Sequence, residues 1–119
     1  MSLPLKPENL AAAYDYLRTT PPFSGWKLPP SDEVEFAVTR HRDREGDHCV
    51  YQYTAEHVIR VSSAAIKTTD ALMQVIAHEM LHAHQEITKT ARRGEHNPQF
   101  RTIASRICRT HGWPTETFV

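Results

Sequence analysis

The spacing of apolar positions changes repeatedly along this chain, and each change marks an element. Leu10, Ala13, Tyr14 and Leu17 recur at intervals of three and four, which predicts an amphipathic helix over residues 7–18 with Pro7 in its opening turn. Thr19-Thr20-Pro21-Pro22 ends it. Residues 21–31 are proline-rich and aperiodic, so they read as a connector that Phe23, Trp26 and Leu28 pin to the core. The period then drops to two. Val34, Phe36 and Val38 alternate with polar neighbours, as in a half-buried strand that runs out near Arg40. The charged stretch 41–47, with Gly46, predicts a hairpin loop, and the β-branched and aromatic residues of 49–54 predict the return strand. Ala55-Glu56 makes a tight turn into a third strand at 57–62, with Ile59 and Val61 on one face. The expected sheet is a three-stranded antiparallel meander.

From residue 68 to about 89 the period is helical again, with Thr68, Thr69 or Asp70 as the N-cap. On a helical wheel Leu72, Met73, Ile76, Met80, Ala83 and Ile87 share one side, and His78, Glu79, His82, Gln85 and Glu86 share the other. The first side is expected to be core and the second a polar face, with Glu86 one turn beyond His82. His84 lies about 200° from His82 on the wheel, which excludes it from any site His82 joins and makes it a surface histidine. After a charged loop, Asn97-Pro98 has the form of an N-cap followed by proline at the first helical position. Phe100, Ile103, Ala104, Ile107 and Cys108 stripe the helix that follows, and His111-Gly112-Trp113-Pro114 stops it. The fold class is α+β: an N-terminal helix, a small sheet, a long polar-faced helix and a C-terminal helix. A chain of 119 residues supports one core, so residues 1–119 are expected to form a single domain.

Composition narrows the class. With 14 basic and 14 acidic residues the formal charge is zero, yet six of the basic residues lie in 89–111 (Lys89, Arg92, Arg93, Arg101, Arg106, Arg109) against the single acid Glu95. That asymmetry can give a neutral protein one basic face, an electrostatic footprint for an anionic partner such as DNA, and the alternative is a merely solvated helix surface. No apolar run is long enough to span a bilayer and residues 1–6 lack a signal-peptide pattern, so the expected address is cytoplasmic with no membrane contact. Cys49 and Cys108 are the only cysteines, too few for a disulfide scaffold or a four-cysteine zinc ribbon, and are expected as buried reduced thiols.

The chemistry-bearing motif is His78-Glu79-Met80-Leu81-His82 on the long helix. Two histidines four apart lie about 40° apart around a helix, so both rings can reach one ion, and the intervening glutamate can reach a water beside it. A catalytic zinc takes three protein ligands and keeps one position open, so a further donor is needed. The metzincin extension requires Gly at 85 and His at 88; Gln85 and Thr88 exclude it. Glu95 and His96 remain, in the loop before Asn97-Pro98. His96 abuts the cap and is preferred; Glu95 is the alternative.

His78-Glu79-Met80-Leu81-His82-Ala83 followed by Gly94-Glu95-His96-Asn97-Pro98-Gln99-Phe100 resembles the SprT-like (Spartan-like) metalloprotease family. The resemblance covers about residues 10–113 and is specific at these two motifs. It implies a zincin-like fold, Zn²⁺ held by His78, His82 and His96, and Glu79 as catalytic acid/base. It also implies substrates among proteins on DNA. The chain departs from the family pattern where Glu95 separates Gly94 from His96, where Asn97 stands in place of glycine, and in having no cysteine-rich ribbon. The expected activity is a zinc metalloendopeptidase acting on a protein or peptide, with the strand at 57–62 offering its edge to the substrate backbone. Tyr51, Tyr53, His57 and Arg101 are candidate oxyanion donors. The competing readings are a non-catalytic zinc-containing binding module or nucleic-acid adaptor, whose metal would have a fourth protein ligand, and a core histidine pair without metal.

Overall fold

The structure, a computed structural model, describes residues 5–51, 54–90 and 96–118. Pro7 opens α1 (Pro7–Arg18), where its fixed φ suits the first turn. Leu10, Ala13, Tyr14 and Leu17 form its buried stripe, as the spacing predicts. The Tyr14 hydroxyl donates to the Pro29 carbonyl at 2.6 Å and fastens the connector to the helix. Within that connector Phe23 is buried and meets Trp26 edge to face at 5.0 Å.

Three strands follow, β1 (Val34–Thr39), β2 (Gly46–Val50) and β3 (His57–Ser62), in the spatial order β1-β3-β2. β1 runs parallel to β3, with Val34 opposite His57, and β2 runs antiparallel to β3, with Val50 opposite His57. The sheet is therefore mixed, not the antiparallel meander the sequence suggests. β3 is the strand buried on both faces, at His57, Val58, Ile59, Val61 and Ser62, whereas β1 buries only Val34. A strand covered on both faces belongs in the middle of a sheet. Parallel neighbours need a long crossover, and residues 40–56 provide one that carries β2 to the far side of β3. β3 is paired along both edges, so it cannot offer an edge to a peptide; the outer strands are β1 and β2.

Helices cover one face of this sheet. Phe36 of β1 meets Tyr14 of α1 edge to face at 5.4 Å, and Gly46 of β2 lies under the second long helix. The opposite face carries polar pairs, Arg60 Nε donating to Asp47 at 2.6 Å and the Tyr51 hydroxyl donating to Glu35 at 3.1 Å. Cys49 is half-buried beside Arg60, Cys108 is buried, and both thiols are free.

α2 (Thr69–Thr88) starts at Thr68, whose hydroxyl accepts from the Ala71 N–H, and ends at Lys89 in the left-handed conformation with φ 61°. It lies among α1, the sheet and α3 (Pro98–His111), so it is buried on more than one side. Glu79 and Gln85, expected on the polar face opposite the core, are 4% and 0% exposed. Hydrophobic periodicity marks only the most apolar side of a helix, and here the polar side faces protein too. His84 stacks on the Trp26 ring at 3.9 Å and is half-buried, not a free surface histidine. α3 is capped as the sequence dictates, with Asn97 Oδ1 accepting from the Phe100 N–H at 2.8 Å and Gly112 (φ 76°) turning the chain out. A last turn, α4 (Thr115–Phe118), returns Phe118 to the core. No described helix is long and apolar enough to cross a membrane.

Candidate metal centre

His78 and His82 project from adjacent turns of α2, and the N-cap of α3 brings His96 to them. Asn97 makes this placement rigid. Its amide donates to the Thr90 carbonyl at 2.8 Å, while its oxygen accepts from the Phe100 N–H and from Gln85 Nε2 at 3.2 Å. The residue next to His96 is thus fastened to the end of α2, to the loop and to α3 at once.

The three imidazoles converge through the same atom. His82 Nε2 lies 3.1 Å from His78 Nε2 and 3.2 Å from His96 Nε2. Zinc–nitrogen bonds of about 2.0–2.1 Å in a tetrahedral site put ligand nitrogens about 3.3 Å apart, so the spacing fits one ion. Hydrogen bonding alone does not account for it, since a single ring proton on His82 Nε2 could serve only one of its two neighbours. Among the described residues these three are the His, Cys, Asp or Glu side chains whose donor atoms gather closely enough to hold a metal. Glu95 lies outside the described residues.

Tautomer and protonation both favour metal binding. His78 Nδ1 is 2.7 Å from the Phe118 carbonyl, which can only accept, so Nδ1 carries the proton and Nε2 presents its lone pair. Burial holds the pKa of His78 at about 4 and that of His82 at about 3, the latter helped down by the neighbouring His78 and His96 rings. Both are neutral at pH 7 and free to ligate. Phe100, fully buried, forms the floor, with its ring 4.6 Å from that of His96, 4.7 Å from His82 and 5.2 Å from His78.

Glu79 sits against β2. A Cβ placed on Gly46 would lie 3.6 Å from Glu79 Oε2, and the same glycine lets β2 approach Val75 closely. The three histidines and Glu79 open into a cleft between α2 and β2. One side, about 460 Å³, is walled by Ala71, Val75, Gln74, Glu45 and Phe118; the other, about 400 Å³, by residues of β2 and Glu86. Glu86 is exposed on that second wall and is not in the ligand cluster.

The oxyanion candidates fare less well. Tyr51 is exposed and bonded to Glu35, Arg101 Nε donates to the His96 carbonyl at 3.4 Å, and Tyr53 lies outside the described residues. His57 pairs through Nδ1 with Nε2 of His48 at 2.8 Å, and burial lowers both pKa values, that of His48 to about 4. His48 lines the cleft although it falls between the predicted loop 41–47 and the predicted strand 49–54; the period-two run Gly46, His48, Val50 is the signal that marks it as facing α2. Phe118 lines the cleft as well, and nothing in its spacing announces it.

A family model described as the SprT-like family matches residues 17–118 of the chain. Among curated proteins none matches.

Proposed function

The chain belongs to the SprT-like family, and from that premise we propose that it is a zinc-dependent metallopeptidase of zincin type that hydrolyses peptide bonds in proteins. The observation that carries this reading is the meeting of the His78, His82 and His96 Nε2 atoms beside a buried glutamate in an open cleft. A Zn²⁺ held there supplies Lewis-acid polarisation of the scissile carbonyl and acidifies water. The Glu79 carboxylate would take the proton from the attacking water and then deliver it to the leaving amine, so one carboxylate acts first as base and then as acid. Its burial beside Gly46, in the cleft the three histidines line, restricts its rotamers. β2 is the outer strand beside the centre and offers its outer edge to an extended substrate, the role expected of 57–62 from the sequence.

Glu79→Gln is expected to retain stoichiometric zinc and lose cleavage of casein or histone by at least about 10²-fold. Continued proteolysis by that variant contradicts the role given to Glu79. Zinc without turnover in the unsubstituted protein contradicts the enzyme reading and favours a binding module.

The substrates inferred are proteins associated with DNA. Arg101, Arg106 and Arg109 are exposed along α3 and support a nucleic-acid contact, whereas Arg92 and Arg93 lie outside the described residues.

A further inference from the structure

Beyond Gly112 the chain reverses and residues 113–118 run alongside α2. Both ends of this segment are tied to that helix. Trp113 Nε1 donates to Asp70 Oδ1 at 3.2 Å in the first turn of α2, and the Phe118 carbonyl accepts from His78 Nδ1 at 2.7 Å. Asp70 and His78 are about 12 Å apart along the helix, so the segment spans α2 from its start to its first candidate ligand. Rings fill the space. The Trp113 and Phe118 rings lie nearly parallel at 6.1 Å, Phe118 is 4% exposed, and its ring meets the His78 imidazole edge to face at 5.6 Å.

Such a connection has a chemical consequence. A neutral imidazole exchanges its proton between two nitrogens, and only the form protonated at Nδ1 offers Nε2 to an ion. The Phe118 carbonyl selects that form and sets the ring plane, but a backbone carbonyl stays in place only while its own residue is docked. We propose that residues 113–118 are a positioning strap for His78: the docking of Trp113 and Phe118 holds the Phe118 carbonyl on Nδ1 and so sets the affinity of the centre for zinc. Trp113 and Phe118 are positioning residues, not ligands. Trp113 acts at a distance, since the hydrogen-bond and ring partners of its indole are Asp70, His111 and Phe118. The inference rests on the metal-centre reading above but does not require peptidase activity.

The test uses the full chain and two readouts, the side-chain ¹⁵N NMR signals of His78 in the metal-free protein and zinc affinity by chelator competition. The unsubstituted protein is expected to show His78 protonated at Nδ1. Phe118→Ala is expected to give a mixture of tautomers and a 10- to 100-fold loss of zinc affinity, the range seen when a metal ligand loses its hydrogen-bond partner. Phe118→Leu keeps an apolar anchor and is expected to stay within a few-fold of the parent. Trp113→Ala is expected to shift the His78 tautomer in the same direction, although the indole touches neither His78 nor the ion. A folded Phe118→Ala with parental affinity and tautomer overturns the strap. So does a proton on Nε2 in the unsubstituted metal-free protein, a result that stands even if both alanine variants fail to fold. Absence of zinc binding in the unsubstituted protein overturns the metal-centre reading instead, and the tautomer measurement still decides the strap.

Discussion

Gly46 is a point of close approach between β2 and α2, and its missing side chain leaves room for the Arg60 carbonyl and Val75. A Cβ there would lie 2.7 Å from the Arg60 carbonyl oxygen, which moves only with β3, and 2.9 Å from Val75 Cγ2, which moves only by leaving the χ1 rotamer a helix favours. Gly46→Ala is therefore expected to destabilise the fold by about 1–3 kcal/mol, the usual cost of overpacking, and to lower activity more than zinc content, because it displaces β2 relative to Glu79. Denaturant unfolding and a zinc assay check both halves; an alanine variant as stable as the parent contradicts the close approach. Residue by residue, the sequence shows most of the centre and hides its surroundings. His78, Glu79 and His82 are legible because helical spacing alone puts them together, and His96 because it abuts a cap. His48, Gly46 and Phe118 reach the same cleft through strand pairing and a chain reversal, which local spacing does not encode.

Elements follow the same division. The three long helices carry their own stop and start signals: Pro7, Asn97 and Gly112 operate as read, and of the three candidate caps of α2 it is Thr68 that is used. Strand order depends on which strand can be covered on both faces, a property of the assembled sheet, and so the meander expected from β1, β2 and β3 gives way to β1-β3-β2. Asn97 shows how much one cap can bind together. Asn97→Ala removes the acceptor for the Phe100 N–H and for Gln85 Nε2, and leaves the Thr90 carbonyl without its donor. Loss of an N-cap costs about 1 kcal/mol and a stranded buried polar group about 1–3 more, so the variant is expected to lose about 2–4 kcal/mol of stability. It is also expected to bind zinc more weakly than the parent, since His96 sits one residue before the cap. Parental zinc affinity in a folded Asn97→Ala would separate the cap from the ligand.

At the scale of the whole molecule, half-buried histidines tie stability to pH. In the folded metal-free chain burial holds His48 and His78 at about 4 and His82 at about 3, while in the unfolded chain each titrates near 6.5. The folded values are the lower ones, so on acidification the unfolded state takes up protons first. Stability from these groups is full above about pH 6.5 and is lost progressively as pH falls toward 3. The midpoint of thermal unfolding of metal-free protein is expected to drop between pH 7 and pH 4.5; a constant midpoint contradicts the neutral, desolvated state of these rings. Charge placement gives a second expectation at this scale. If α3 meets DNA, replacing Arg106 and Arg109 by alanine weakens binding to all sequences alike and flattens its salt dependence by about 0.9 for each phosphate no longer neutralised. An unchanged slope assigns these side chains to solvent.

The strand order also makes the two rims of the sheet unequal. β2 borders the cleft, whereas β1 is separated from it by the full width of the sheet. A strand grafted onto β1, whether an affinity tag, a fused partner or a second subunit pairing edge to edge, would extend the sheet and leave the centre accessible. The same strand grafted onto β2 would compete with substrate for its docking edge. A tethered inhibitor should therefore be built on one rim and a scaffold attachment on the other.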